Sequence, residues 1–567
     1  MIVPMRHLDL ICLKSEADAT LERLRSMGVV HLALDTASGD GVIAAKGEAA
    51  DAEKVVMLIL KARGDEEVDA RPCSVEGVLA LDEDRRTLKA EKDRLEREIR
   101  TYEAFGDFDP ALAGKLREKG LDLRLYADGS FDILGDGAEK DEDRQAVRWP
   151  EMRLGRMREK LARVENRIGI DDAKIAGCDD AAIARKFPAI RDRIAFEQAK
   201  GLMSESGAVA VISGWIPVTK EKALLAEVTQ SEAEGLFERT NAPGWGVLLR
   251  DPAEGETPPT LIEPPKIFRP VTALFKGLGI APAYTESDVS VPFMCYFSLF
   301  FAMLVGDGGY GAIFLAATLA ARKKLPRAWF TLLTVFSSAT IVWGFLSNTW
   351  FGAGLPFAAE WPTVKWLGDP TYNNMMFLCF TIGASHLVLA RVWSGICMMN
   401  DRACLAQFGW AGIVFFMYLV TNAIVGIFSG VPQWAYWMFG VSLVLVFGFT
   451  LKGSELKSRG IELGMLPLNI MSALGDIISY VRLFAVGLAS VKVAENFNDM
   501  AVGLDLPIWL KAVPMVLILL VGHGLNLVMA GLSILVHAVR LNTLEFSNHK
   551  GVSWAGYAFK AFKRAGS

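Results

Sequence analysis

Hydrophobic and polar positions change their pattern once along the chain. Up to about residue 270, apolar residues occur singly or at regular spacings among Asp, Glu, Lys and Arg; from 289 to 545 they form long runs with few charges. In the first part, residues 3–13 are apolar-rich and predict a strand. Ser15 and Asp18 then open a helix that Gly28 stops, and residues 29–34 predict a second strand. From Asp82 the spacing becomes heptad-like, through Leu88, Lys92, Leu95, Ile99 and Tyr102, and it recurs through Leu154, Met157, Leu161, Val164 and Ile168. A helix with one narrow apolar seam is marginal alone in water. The two segments therefore predict an antiparallel coiled coil, 82–104 with 150–202, and 105–148 becomes a lobe at its far end. Within that lobe DLRLYADGSFDILGDG predicts a hairpin turning at Asp128-Gly129. The chain returns near 203 with a strand at 207–216, a helix from Lys220 and a strand at 247–249, which complete the first lobe, 1–75 plus 203–275. The expected fold is mixed. It has an N-terminal α+β dumbbell over 1–275, an all-α membrane domain over 289–546 with about eight transmembrane helices, and a tail over 547–567.

A membrane helix needs about 20 apolar residues, with somewhat fewer tolerated. The candidate spans are 291–305, 308–322, 328–351, 373–391, 408–429, 434–451, 465–496 and 506–545. Gly306-Asp307-Gly308-Gly309 interrupts the first two. Eight spans put Arg322, Lys323, Lys324 and Arg327 on the side of the charged region, with Arg391, Arg402, Lys452, Lys457, Arg459, Lys550, Lys560, Lys563 and Arg564. The opposite loops carry only Lys365, so this arrangement predicts both termini in the cytoplasm. The first residues lack the basic stretch and long apolar run of a signal peptide. The last two segments, at 1.5 Å per residue, extend about 45 Å or more, beyond the roughly 30 Å of hydrocarbon. They are expected to tilt or project.

Composition narrows the function. The chain is 52% hydrophobic and carries a net charge of −5, which excludes a basic nucleic-acid binder. Its 7 cysteines form no CxxC pair, so they predict reduced thiols and no metal site. No GxxxxGK[ST] occurs, so no nucleotide cofactor and no hydrolytic site of its own are expected. A lobed rod with no catalytic constellation fits a mechanical strut.

The chemistry lies in the charges inside the apolar half, where ionisable residues are costly and mark functional paths. Asp476, Ser479, Arg482 and Ser490 fall roughly along one stripe of the penultimate segment. On the last segment Asn526, Ser533, His537 and Arg540 follow at spacings of seven, four and three, on one helical face, and His523 and Glu545 extend the polar content. An arginine stays charged when buried. It cannot relay a proton, but it favours the ionised form of a nearby carboxylate and repels cations. His, Asp, Glu, Ser and Asn can line water-filled half-channels on either side of it. His386 is expected as a core histidine, Asp307 as part of a helix break, and Lys492 with Glu495 as a local pair.

Ser479-Tyr480-Val481-Arg482-Leu483 with Ala485 resembles the SYxRLxA signature of the large stator subunit of V/A-type ATPases, called subunit I in bacteria and archaea and subunit a in eukaryotes. His537-Ala538-Val539-Arg540-Leu541, followed by Glu545-Phe546, resembles that family's second arginine motif. Gly306-Asp307-Gly308-Gly309-Tyr310-Gly311 resembles its first helical hairpin, and Gly214-Trp215-Ile216-Pro217 and Pro258-Pro259-Thr260-Leu261 resemble its cytoplasmic half. The resemblance implies that Arg482 faces the essential carboxylate of a rotating c-type ring, with Arg540 as its partner. It also implies coupling of proton or sodium translocation to ATP hydrolysis or synthesis in a bacterial inner membrane. The implied partners are the ring, peripheral stalk subunits of the E/G type, subunits on the central-stalk side, and lipid. The chain departs from the pattern at Ser490, where some relatives carry His, at Ala530, where some carry Glu, and at TESDVSVP after Tyr284. His537, Glu545 and Asp476 are therefore the expected channel lining. The rival class is a secondary ion transporter with a regulatory cytoplasmic domain. It predicts inverted repeats, and no convincing repeat is present. A simple membrane anchor leaves Arg482 and Arg540 without a role.

Overall fold

The computed structural model describes residues 1–34, 39–64, 70–107, 109–126, 129–135, 146–234, 245–450, 464–504 and 507–564. The chain is mostly helical and forms two compact units. One comprises Met1–His7, Trp215–Ala223 and Leu249–Lys560; the other comprises Leu8–Gly214, Leu224–Leu248 and Ala561–Ser567.

The charged unit contains most of a four-stranded sheet, ordered Ser204–Ser206, Val209–Pro217, Met5–Leu13 and Gly246–Arg250. Helix Ala17–Met27 ends at Gly28, whose φ of 60° is the left-handed conformation that a glycine stop supplies. Residues 29–34, expected as a strand, are irregular apart from a single bridge at His31. Both neighbours of Met5–Leu13 are already filled by other strands. The segment passes close to Gly214 instead, where a Cβ would lie 2.7 Å from the His31 carbonyl oxygen.

Helix Asp40–Arg63 was not anticipated, because Ala and Gly dilute its apolar periodicity. It buries Ala52, Val55 and Ile59 with Val78, Ile175, Ile183 and Ile190. Helices Val75–Tyr102 and Leu154–Ala176 run antiparallel along the heptad seam. Leu95 packs with Val164 and Ile168, and further along Ile99 and Tyr102 pack with Leu154 and Met157. Lys92, at a seam position, reaches Glu165 at 2.7 Å, and Lys160 reaches Glu91 at 2.6 Å. The second helix stops at Ala176, and Phe187–Gly201 is a separate helix packed on Asp40–Arg63. Leu121–Tyr126 pairs antiparallel with both Phe131–Gly135 and Ala146–Val147. Gly129 has φ 83°, as a hairpin turn requires, while Asp128 lies outside the described residues.

In the apolar unit, five helices are long and apolar enough to cross a membrane: Arg327–Ser347, Asn373–Cys397, Ala403–Ile424, Leu466–Val502 and Leu510–Lys550. Ser290–Val305 and Gly308–Lys323 meet at a bend of 118°, and Gln433–Phe449 is shorter at 17 residues. Of the eight expected spans, the first two correspond to this bent pair and the sixth to the short helix. By length and composition the described residues hold five such helices, or six if the pair counts as one. Lys452, Lys457 and Arg459, used to orient the spans, lie outside the described residues.

The bend has a local cause. Gly306 ends the first arm with φ 70°, and buried Asp307 caps the second, accepting from the amides of Gly309 (2.7 Å), Tyr310 (3.4 Å) and Gly352 (2.9 Å). The core gathers Phe293, Phe297, Phe300, Tyr310, Leu387 and Tyr480. The last long helix, by contrast, leaves Val513, Leu520, Val528 and Leu532 at least 65% exposed, which is a surface suited to lipid or an apolar partner. Residues after Lys550 return to residues 258–283: Thr260 N donates to the Tyr557 carbonyl at 2.8 Å and Gly556 N to that of Ala281 at 3.1 Å.

Outside the apolar helices, Arg250 grips Glu256 with both terminal nitrogens, at 2.6 and 2.9 Å, and the Ala253 amide donates to the same carboxylate at 2.9 Å. The guanidinium and this amide hold the Glu256 carboxyl at about 2, down from its ordinary 4.5. A depressed pKa stabilises the loop fully above the ordinary value, and the contribution is lost as pH falls through about 2. A carboxyl titration followed by carbon-13 NMR is expected to find Glu256 ionised down to about pH 2, and to return it to the ordinary glutamate range in Arg250→Ala.

Candidate functional site

The penultimate long helix is not continuous. Leu466–Ile478 and Val481–Val502 are joined by a turn at Ser479-Tyr480, which puts Arg482 in the first turn of the second segment. Its Nε donates to the Ser479 carbonyl at 3.0 Å, and its Nη2 meets Glu545 Oε1 at 3.1 Å. Arg540 Nε approaches the same oxygen at 3.4 Å. Glu545 is 5% exposed, against 24% for Arg482 and 55% for Arg540. One buried carboxylate oxygen thus serves two guanidinium groups, while Glu545 Oε2 is buried with no hydrogen-bond partner.

The helix around Arg540 makes this possible. Ile534–Ala538 and Leu541–Phe546 are π-helical. In an α-helix, residues five apart point about 140° away from each other. A π-turn, bonded i to i+5, brings them to one side. That widening lets Glu545 share a face with Arg540.

On the N-terminal side of Arg482 lies a second group. Asp476 Oδ2 is 3.0 Å from His549 Nε2, and Arg391 Nε donates to His549 Nδ1 at 3.0 Å. Arg391 Nη1 also donates to Gln407 Oε1 at 3.2 Å, and its guanidinium lies 5.1 Å from the Trp410 ring centroid. Asp476, His549, Arg391 and Trp410, with Asn469, Ser472 and Asn548, line a cavity of about 300 Å³.

A third group lies on the C-terminal side. Asn526 donates to Tyr310 Oη (3.1 Å) and to the Ser490 carbonyl (2.8 Å), and accepts from Ser490 Oγ at 3.0 Å. Tyr310 Oη is 2.7 Å from His523 Nδ1, whose Nε2 is 3.2 Å from Asn498 Oδ1. A separate cavity of about 340 Å³ is lined by Thr349, Tyr372, Lys492 and Glu495 among others, with Lys492 and Glu495 paired at 2.6 Å. Along the helix, Asp476 and Ser490 stand about 9 and 12 Å to either side of Arg482.

Curated proteins of one kind are similar to this chain. No family model matches. Among curated proteins, it is 27% identical to V-type ATP synthase subunit I 1 of Treponema pallidum over 99% of this chain and 100% of that protein. It is 33% identical to V-type ATP synthase subunit I of Borreliella burgdorferi over 62% of this chain, a match that spans 60% of that relative's length. It is 26% identical to A-type ATP synthase subunit I of Methanocaldococcus jannaschii over 67% of this chain and 60% of that protein. The chain is thus similar to curated proteins named subunit I of V-type or A-type ATP synthases, in both bacteria and archaea.

The chain is a membrane protein, and its apolar unit gathers most of the residues singled out in the sequence. Arg482, Arg540 and Glu545 meet directly. Ser479 carries Arg482 through its carbonyl and donates its hydroxyl to the Asp476 carbonyl at 2.6 Å. Ser490 and Asn526 join the third group. His537 keeps Nδ1 buried without a hydrogen-bond partner, and half-buried Ser533 joins none of the three groups. His386 is a core residue with one nitrogen satisfied: Nδ1 is 2.9 Å from Tyr480 Oη, the ring stacks between Tyr296 and Phe546, and Nε2 lacks a partner.

Sequence reasoning missed Arg391 and His549. Arg391 resembles an ordinary loop charge, and His549 lies beyond the expected last span. The one available signal was that a largely apolar stretch, residues 392–399, continues past Arg391; the structure carries the helix on to Cys397.

Removing the shared acceptor tests the geometry. Glu545→Ala is expected to lower the unfolding free energy of the detergent-solubilised protein by about 1–3 kcal/mol. Glu545→Gln, which keeps an acceptor oxygen, should lose less. Thermal unfolding of both variants beside the parent checks the order.

Proposed function

We propose that this chain is a subunit I, the stator of a rotary V/A-type ATPase, and that it supplies the ion path beside a rotating c-type ring. The observation that carries the reading is the pair Arg482 and Arg540 held on one buried Glu545, with separate polar groups and cavities on either side along the helix. Each cavity serves as the inner end of a half-channel. One holds Asp476; the other holds Lys492 and Glu495, with Ser490 and Asn526 beyond. Arg482 lies between them and keeps them from becoming one continuous pore for cations. A ring carboxylate reaching Arg482 competes with Glu545 for the guanidinium. The nearby positive charge then favours the ionised form of that carboxylate, so its ion is released to one half-channel and taken up from the other. His537 and Ser533 extend the polar lining near Arg540. The exposed apolar face of Leu510–Lys550 supports packing against the ring.

In this reading the transported ion is a proton or sodium, and the machine runs in hydrolysis or synthesis. The bent pair counts as two short spans and Gln433–Phe449 as another. The total is eight, with both termini in the cytoplasm of a bacterium and the spans in its inner membrane. The distribution of Lys and Arg supports that orientation. Residues 1–275 form a dumbbell, with lobes at 1–75 plus 203–275 and at 105–148 joined by the 82–104 and 150–202 coiled coil. It anchors E/G-type peripheral stalks and faces subunits of the central-stalk side. The antiparallel seam from Leu88 to Tyr102, reinforced by its ion pairs, supports a role in resisting torque. Residues 289–546 are the ion-translocating domain and 547–567 the tail.

Arg482→Gln in the whole complex is expected to abolish ATP-driven ion uptake into vesicles while the subunits still co-purify. Uptake at the parent rate would rule out the ion path. Arg540→Ala is expected to lower uptake by about tenfold rather than abolish it, since Arg540 is the more exposed partner of Glu545.

A further inference from the structure

The group at Asp476, His549 and Arg391 has a fixed pattern of donors. A guanidinium does not deprotonate in a protein, so Arg391 Nε always presents an N–H. At 3.0 Å it donates to His549 Nδ1, which must therefore be the acceptor nitrogen of a neutral ring. The ring proton is then on Nε2, which donates to Asp476 Oδ2 at 3.0 Å. Arg391 is itself held by Gln407 at 3.2 Å and by the Trp410 face at 5.1 Å. His549 is 4% exposed, whereas Asp476 is 27% exposed and lines the cavity of about 300 Å³. Asp476 is the only carboxylate in that lining, and its Oδ1 takes no donor among the described residues.

Building on the stator reading, we propose that Asp476 is the proton-exchange carboxylate of this half-channel, and that His549 and Arg391 are its positioning residues. In the exchange, the Asp476 carboxylate takes a proton from a hydronium in the cavity, giving the carboxylic acid and water. In the release step the Asp476 acid gives its proton to a water in the cavity, re-forming the carboxylate and a hydronium that carries the proton on to a ring carboxylate. Neither step changes the protonation of His549, whose Nδ1 is occupied by Arg391 and whose Nε2–H keeps one carboxylate oxygen fixed while the other meets the cavity. A proton neutralises Asp476 in place. A sodium ion bound there would instead sit against the guanidinium that holds His549, so the geometry favours protons as the cargo of this half-channel.

The test uses the whole ATPase complex in vesicles, with ATP-driven proton uptake followed by a pH-sensitive dye in sodium-free and sodium-containing buffer. Asp476→Asn keeps an acceptor oxygen for His549 but cannot exchange a proton, and it is expected to slow uptake by about tenfold or more. His549→Ala removes the donor to Asp476 and is expected to slow uptake severalfold. His549→Gln offers an amide oxygen to Arg391 and an amide N–H to Asp476, and it is expected to restore uptake to within about twofold.

Parent-like uptake in Asp476→Asn overturns the exchange role. Parent-like uptake in His549→Ala, or equal loss in His549→Gln and His549→Ala, overturns the positioning role, and this pair decides even where Asp476→Asn does not assemble. Uptake of radioactive sodium without proton uptake overturns the choice of cargo. Arg482→Gln, measured alongside, separates the two levels. If it transports normally, the stator reading itself fails. If it is inactive while the Asp476 and His549 variants match the parent, only this inference fails.

Discussion

Carrying two arginines into an apolar helical unit is costly unless an opposite charge meets them, and Glu545 is that charge. Because one carboxylate oxygen serves both, the penultimate and last long helices must approach closely at this level, and the chain must hold Glu545 on the same side as Arg540. Two consecutive π-turns achieve the second condition. The turn at Ser479-Tyr480 helps with the first, since its Ser479 carbonyl accepts from both the amide and the Nε of Arg482, at 3.3 and 3.0 Å. The irregularities of the last two helices are therefore consequences of where the charges have to sit.

The same constraint orders the surroundings. Most buried polar atoms pair with one another, so each side of Arg482 has its own connected set: Asp476, His549, Arg391 and Gln407 on one, and Ser490, Asn526, Tyr310, His523 and Asn498 on the other. Tyr480 and His386 lie between rings of Tyr296, Phe300 and Phe546, an aromatic packing that fills the interior behind Arg482. The bend at Gly306-Asp307 brings Tyr310 into the second set, so a helix break far from Arg482 in sequence contributes to its environment.

The charged unit follows a different economy. Its long helices carry too little apolar surface to stand alone, and they are held by a narrow seam flanked by ion pairs that water screens. Lys92 occupies a seam position and projects to Glu165. Such an element is stiffened by length and pairing rather than by a deep core.

Much of this was legible in the chain alone. The change from spaced to continuous apolar residues separates the two regions, because water and hydrocarbon select different patterns. The heptad seam and the tip hairpin follow from local periodicity, and Arg482 and Arg540 stand out because charges are rare in apolar runs. Periodicity failed where the rule of 3.6 residues per turn did not hold. The face drawn through Asn526, Ser533, His537 and Arg540 assumes an α-helix throughout, whereas the π-turns shift its phase and bring Glu545 in while leaving Ser533 out. Helix Asp40–Arg63 escaped notice because small residues pack closely without an apolar stripe, and residues 29–34 failed as a strand because Met5–Leu13 already had two neighbours. Arg391 and His549, 158 residues apart, share a hydrogen bond only because separate helices meet there. The sequence by itself determined which stretches are apolar and which charges they must carry. Only tertiary structure decided which of those charges meet, because hydrogen-bond partners distant in the chain are selected by helix packing and not by spacing.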